Sequence, residues 1–459
     1  MVRVFTALVA GTALASACLV SPTDAGQRAY GGGRQRTNVI VTMKDRPTGV
    51  HTSISNQKFS SRGGRLRALQ DGLQGHATRS QARVRDILEK AGASAHSRSE
   101  SFWLTNEVLV AGATPELVDQ LSKLPEVESV VPDQILPLVA PVLETAATSM
   151  LATPTTAQWG VNMINTQSVW ATGNLGQGVT VGIIDTGVRA THEAIRGNFR
   201  QSFGWFDPEK KAVTPYDATG HGTHVTGIIA GNNGIGVAPG VQWMMCKGCR
   251  SNGCYASDLL ACFQFMLCPT TPDGVTKDCS KAPQVVNNSY GGGQGLTTFD
   301  SVIAAWRAAG IIPVMAAGNT GPSCGTVQSP GDHPSVLTVG ATDASNLVAS
   351  FSAKGPTVTG IRKPDVMAPG QAIRSSCYTG DNAYCSKSGT SMAAPHTTGA
   401  VALYLSARPG TTFDQIRQKF QSTALIPGSS GYTCGTTPDS TIPNNQFGFG
   451  RIDIFKALA

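Results

Sequence analysis

Residues 179–187 read Val-Thr-Val-Gly-Ile-Ile-Asp-Thr-Gly. Five of the first six side chains are β-branched, so the run predicts a strand buried on both faces, and the Asp-Thr-Gly after it predicts a turn at its carboxyl end. Similar apolar runs recur at Val241–Cys246, Val285–Asn288, Ile311–Ala316 and Val336–Gly340. Helical patterns separate or follow them, at His224–Ala230, Ser257–Met266, Phe299–Ala309 and Thr397–Ser406. Strands alternating with helices build βαβ units, and continuous apolar strands need cover on both sides. The expected class is α/β, a doubly wound parallel sheet with helices on both faces. No internal repeat is evident.

Upstream the pattern changes. Asn38–Met43 reads as a strand, Gln81–Ala91 as a helix, Phe102–Val110 as one or two strands, Pro115–Leu124 as a helix with proline in its first turn, and Val127–Val131 as a closing strand. The order β-α-β-β-α-β describes a small α+β, ferredoxin-like unit. Pro137–Thr156 is rich in Pro, Ala and Thr and reads as a linker and processing region. At the start, Arg3, the apolar run Val4–Leu14 and Ala15-Ser16-Ala17 have the order of a secretory signal. That run is too short to span a bilayer, and Ala15 stands where a lipoprotein signal ending at Cys18 prefers leucine. The resulting division is 1–25 signal, 26–139 first folded domain, 140–157 linker and processing region, and 158–459 catalytic domain, with the product secreted to the extracellular space.

Of 459 residues, 41% are hydrophobic and 14% charged, which excludes a disordered chain. The formal charge is +7, but residues 26–98 hold fourteen Lys/Arg against four Asp/Glu, while 151–459 are near balance. A basic face for nucleic acid is therefore not expected on the catalytic half, nor is a membrane partner. Ten of the eleven cysteines follow residue 240. In an exported chain that even count implies about five disulfides, with Cys377–Cys385 the favoured local pair across Gly380-Asp381. Zinc at Cys246, Cys249 and Cys254 is the alternative, weakened by the absence of a nearby histidine.

Three segments carry chemistry. Asp185 ends a buried parallel strand, so the fold delivers its carboxylate to the ligand crevice; alone, Asp-Thr-Gly would be an ordinary turn. His221 opens His-Gly-Thr-His-Val-Thr-Gly at a helix start, where an imidazole can act as general base, whereas His224 reads as a packing residue. Ser391 lies in Ser388-Gly-Thr-Ser-Met-Ala-Ala-Pro-His396; Pro395 fits a first helical turn and so places Ser391 at a helix start, where serine alone could be a simple cap. Asn319, after the strand from Ile311, can donate to an oxygen that becomes negative in acyl transfer. The order Asp…His…Ser fits neither the Ser…Asp…His of nucleophile-elbow hydrolases nor the His…Asp…Ser of chymotrypsin-like enzymes.

With these motifs in hand, the chain from about Gln158 to Ala457 resembles the subtilisin-like serine proteases, and residues 38–134 resemble their inhibitory propeptide. Val286-Asn-Asn-Ser-Tyr-Gly-Gly292, Ala305-Trp-Arg307, Ala317-Gly-Asn-Thr320 and Lys363-Pro-Asp-Val366 look most like the bacillopeptidase F branch. The resemblance implies Asp185, His221 and Ser391 as the triad and Asn319 in the oxyanion hole. It also implies a substrate cleft along Ser289, Tyr290, Gly291, Ala316, Ala317 and Gly318, with Gln328 at the pocket floor. A monomeric endopeptidase made as a self-processed zymogen follows, acting on polypeptides, inhibited by its own propeptide and needing no cofactor. The stretch Gly227–Pro239 is shorter than in relatives whose loop binds calcium, which argues against that site here. A silent binding protein on the same fold, or an esterase, are the other readings; peptide against ester turnover separates the latter.

Overall fold

Seven strands run parallel in one sheet, in the spatial order Val366–Pro369, Leu337–Thr342, Ile312–Ala316, Val285–Asn288, Thr180–Asp185, Gln242–Lys247 and Trp205–Phe206. The computed structural model describes residues 36–137, 144–145 (backbone), 157–428 and 431–459. The expected signal segment and nearly all of the processing region lie outside the described residues. Consecutive strand residues enter opposite cores. Val181, Ile183, Trp243 and Met245 pack with the helices His221–Ala230 and Thr390–Ala407, whereas Ile184, Met244 and Cys246 pack with Ala256–Leu267 and Asp300–Ala308. This two-sided burial is why the strands read as unbroken apolar runs. The expected doubly wound α/β class holds, with two short strands added at the edges, one a dipeptide and one ending in proline, too brief to show a pattern.

The chain lays down Thr180–Asp185 first, adds two strands on one side, then crosses to Val285–Asn288 on the other. That reversal opens a crevice at the carboxyl ends of these two strands.

Residues 37–132 form a four-stranded antiparallel sheet in the order Arg98–Phe102, Glu107–Ala113, Thr37–Met43, Val127–Pro132. Helices Ala82–Ala91 and Pro115–Ser122 cover one face through Val84, Leu88, Leu117 and Leu121. The other face, with Ile40, Phe102 and Leu109, shares a core with the helices Ala256–Leu267 and Asp300–Ala308. Two further helices, Thr48–Asn56 and Arg62–Ser80, interrupt the expected order between the first strand and first helix. They escaped the sequence pattern because Arg62–Ser80 holds four glycines and only a thin apolar stripe.

The ten cysteines after residue 240 form five disulfides: Cys246–Cys262, Cys249–Cys254, Cys268–Cys279, Cys324–Cys434 and Cys377–Cys385. The sulfurs that zinc would need are thereby taken.

Candidate active site

The strand Thr180–Asp185 ends in a carboxylate that is 1% exposed. Its Oδ1 stands 2.7 Å from His221 Nδ1 and also accepts from Thr186 N at 2.8 Å. His221 is the first residue of its helix, and the turn before it needs Gly220 at φ 81°. Close packing sets the approach: a Cβ on Gly222 would stand 2.1 Å from Gly187 O. The carboxylate thus fixes one imidazole nitrogen, while Nε2 is buried without a protein partner. One turn on, His224 is wholly buried, contacts Cys385 O through Nε2 and is held well below the usual imidazole range by desolvation, which suits a neutral packing residue.

Ser391 is fully buried at the second position of Thr390–Ala407. Its Oγ donates to Ser289 O at 3.0 Å rather than to His221. Pro395 falls inside the helix, beyond the first turn where the sequence placed it. The physical reason it is tolerated is local: proline leaves the carbonyl four residues back without its helical donor, and that carbonyl, Ser391 O, accepts instead from Ser289 Oγ at 3.0 Å. Asn319 Oδ1 accepts from both Thr390 N and Thr390 Oγ1 at 2.9 Å, which fixes the amide beside Gly389, where a Cβ would stand 3.0 Å from Asn319 Nδ2.

Of the residues expected to line a pocket, Ser289 to Gly291 follow one central strand and Ala316 to Gly318 end its neighbour. Gln328 lies between the two segments: a Cβ on Gly318 would stand 2.6 Å from its Oε1, and one on Gly291 would stand 3.6 Å from its Cβ. Gln328 Oε1 is buried without a partner. Tyr290 contributes backbone only, since its side chain is 1% exposed and its hydroxyl donates to Asn288 Oδ1 at 2.9 Å.

Two short pieces of chain border this crevice. Ile135–Leu136 pairs antiparallel with Cys254–Tyr255, and Asp133 accepts from Ser257 N and Oγ at 2.9 and 2.6 Å. On the other side Glu144–Thr145 pairs with Lys387 and Ser386, a few residues before Ser391.

Asp217 was missed by the sequence reading. Its Oδ1 accepts from Thr186 Oγ1, Thr219 N and Gly220 N, and its Oδ2 accepts from Thr223 N and Oγ1, all within 2.5–3.1 Å. One carboxylate therefore ties the residue after Asp185 to both flanks of His221. The available signal was an acid four residues before a histidine at a helix start, a spacing suited to capping.

A sequence model of the Subtilase family matches residues 176–450, which contain the whole of this constellation. The chain belongs to the subtilase family. Its members are serine endopeptidases. Among its relatives is Bacillopeptidase F of Bacillus subtilis, 34% identical over 385 residues, covering 78% of this chain but only 26% of that protein. Subtilisin DY of Bacillus licheniformis is 35% identical over 283 residues, with 60% of this chain and 94% of the relative covered. The Thermostable alkaline protease of Halalkalibacterium halodurans is 37% identical over 278 residues, 60% of this chain and 70% of its own. This chain thus spans about a quarter of Bacillopeptidase F and nearly all of Subtilisin DY.

Catalysis in this subtilase family needs no cofactor, although structural calcium is common. In the short loop at 231–239 the carbonyl oxygens of Gly231, Asn232 and Gly234 accept from Gly236, Ile235 and Gln158, and no group of three or more His, Cys, Asp or Glu that could hold a metal ion occurs among the described residues.

Proposed function

We propose that Asp185, His221 and Ser391 are the catalytic triad of a secreted endopeptidase, with Asn319 Nδ2 and the Ser391 backbone N–H as oxyanion donors. The carrying observation is the buried 2.7 Å pair of Asp185 and His221 in the same crevice as a serine at a helix start. In this reading Ser391 Oγ turns from Ser289 O toward His221 Nε2, which takes its proton as the oxygen attacks a peptide carbonyl. The imidazolium, held by Asp185, returns the proton to the leaving amine, and water then cleaves the acyl-enzyme by the same relay. Gln328 gives the pocket a polar floor.

The N-terminal unit acts as the inhibitory propeptide, and the bond cut in maturation lies between the two bordering segments, within residues 138–143. Support comes from the backbone pairings that anchor Ile135–Leu136 on one side and Glu144–Thr145 on the other. Export is supported by five disulfides, and no helix of the described residues is long and apolar enough to cross a membrane. The test is Ser391→Ala in the full chain: it should accumulate uncut precursor, whereas wild type processes itself. Processing of purified Ser391→Ala in a host without other proteases would sink the reading.

A further inference from the structure

The helices Thr48–Asn56 and Arg62–Ser80 are additions to the compact β-α-β-β-α-β unit: none of their residues enters its core between the sheet and the helices Ala82–Ala91 and Pro115–Ser122. Instead Leu66, Leu69 and Leu73, all 0% exposed, form one stripe at helical spacing and join the core in which Ile40, Phe102 and Leu109 of the sheet's other face meet Phe299, Val302 and Trp306 of the catalytic domain. Arg62 Nη1 and Nη2 donate to Ala282 O and Pro283 O at 2.8 and 2.6 Å. Those carbonyls lie just before the strand Val285–Asn288, whose far end leads to Ser289. At about 3.3 Å per residue, Arg62 therefore grips the sheet roughly 20 Å from the catalytic end.

The arm cannot obstruct the cleft from there. It is also a weak helix by itself, since glycine at 63, 64, 72 and 75 is the least favourable interior residue apart from proline. Only Gly72 is required by close packing, where a Cβ would stand 2.8 Å from Val50 Cγ1; at Gly63 and Gly75 the nearest atoms are 3.7 and 3.4 Å away, both on flexible arginines. At its far end the helix is held to the N-terminal unit by His76 Nε2 on Asp45 O at 2.9 Å and by Ser80 Oγ accepting from Asn106 Nδ2 at 2.8 Å, so the Arg62 end is the one that depends on the catalytic surface.

Resting on the zymogen reading above, we propose that residues 48–80 are a remote clamp that sets how long the cleaved propeptide stays on the enzyme. While docked, the clamp adds a second attachment to the sheet-face contact and so raises the effective concentration of the propeptide tail at the cleft. Once it lifts, the Arg62 end of its glycine-rich helix loses the surface it depends on, and the exposed, arginine-rich segment becomes extended substrate for the enzyme it had inhibited. Release is then one-way.

The experiment follows the full chain after self-cleavage, recording the cut itself on gels, the lag before hydrolysis of a chromogenic peptide, and the fraction of propeptide still co-eluting. Arg62→Ala should shorten the lag about tenfold. Gly63→Ala with Gly75→Ala should lengthen it, by roughly fivefold for each replaced glycine. The rate of the cut should stay within about twofold in both. Opposite shifts from substitutions at one contact and at two open helix positions are not what a folding defect produces. A lag that ignores both variants while cutting proceeds normally overturns the clamp. A wild-type chain that never cuts itself overturns the zymogen reading instead, and is seen on the gel before any lag is measured.

Discussion

Replacing Ser289 by alanine removes two buried hydrogen bonds at once. Ser391 O loses the hydroxyl that stands in for the helical donor absent at Pro395, and Asn287 Nδ2 loses Ser289 Oγ, to which it donates at 2.9 Å. Each buried group left unpaired costs about 1–3 kcal/mol, so Ser289→Ala should destabilise the fold by roughly 2–6 kcal/mol. Pro395→Ala supplies an N–H four residues after Ser391 and gives that carbonyl its ordinary helical partner. In the Pro395→Ala background the cost of Ser289→Ala should therefore drop by about 1–2 kcal/mol, a coupling that a double-mutant cycle resolves. The cycle is best run by urea unfolding in the Ser391→Ala chain, where unfolded molecules are not digested and the Ser391 backbone carbonyl is unchanged. If the two effects add within about 0.3 kcal/mol, Ser289 does not compensate for the proline, and the account of how the helix tolerates Pro395 is wrong.

Asp217→Asn keeps the shape but turns an amide N–H₂ toward donors at one of the two oxygens; kcat for a peptide substrate should fall at least tenfold with KM within about twofold. A rise in KM alone would contradict a role in holding Asp185 to His221. His396 is fully buried, and desolvation lowers its pKa to about 4. Because the folded value lies below the unfolded one near 6.5, its contribution is complete above about pH 6.5 and is lost as pH falls toward 4, by up to roughly 3 kcal/mol. The stability gap between wild type and His396→Asn should narrow across that window, and a gap constant from pH 7 to 4 would exclude the effect. Gln328→Gly should shift cleavage toward large apolar residues before the scissile bond, read by mass spectrometry of a digested denatured protein; an unchanged profile removes Gln328 from the pocket.

Periodicity alone was enough to identify the parallel sheet, because strands buried on both faces must be apolar at successive positions, as at Val181, Ile183 and Ile184. Asp185, His221, Asn319 and Ser391 could be singled out as candidates as well, since each sits at a strand or helix terminus marked by glycine or proline. Long-range geometry was not. The sequence could not tell that Pro395 lies past the first helical turn, because its compensation comes from Ser289, about a hundred residues earlier. Beyond the local pair Cys377–Cys385, it could not select the disulfide pairing, which depends on which sulfurs the folded chain brings within bonding distance. Asp217 drew no reading at all, because its five donors, on Thr186, Thr219, Gly220 and Thr223, come together only in the fold. The arm at 48–80 escaped entirely, for its thin apolar stripe is buried only where the sheet face and the catalytic helices meet it. Local pattern records what a segment buries; the partner across the interface is set only when distant segments meet.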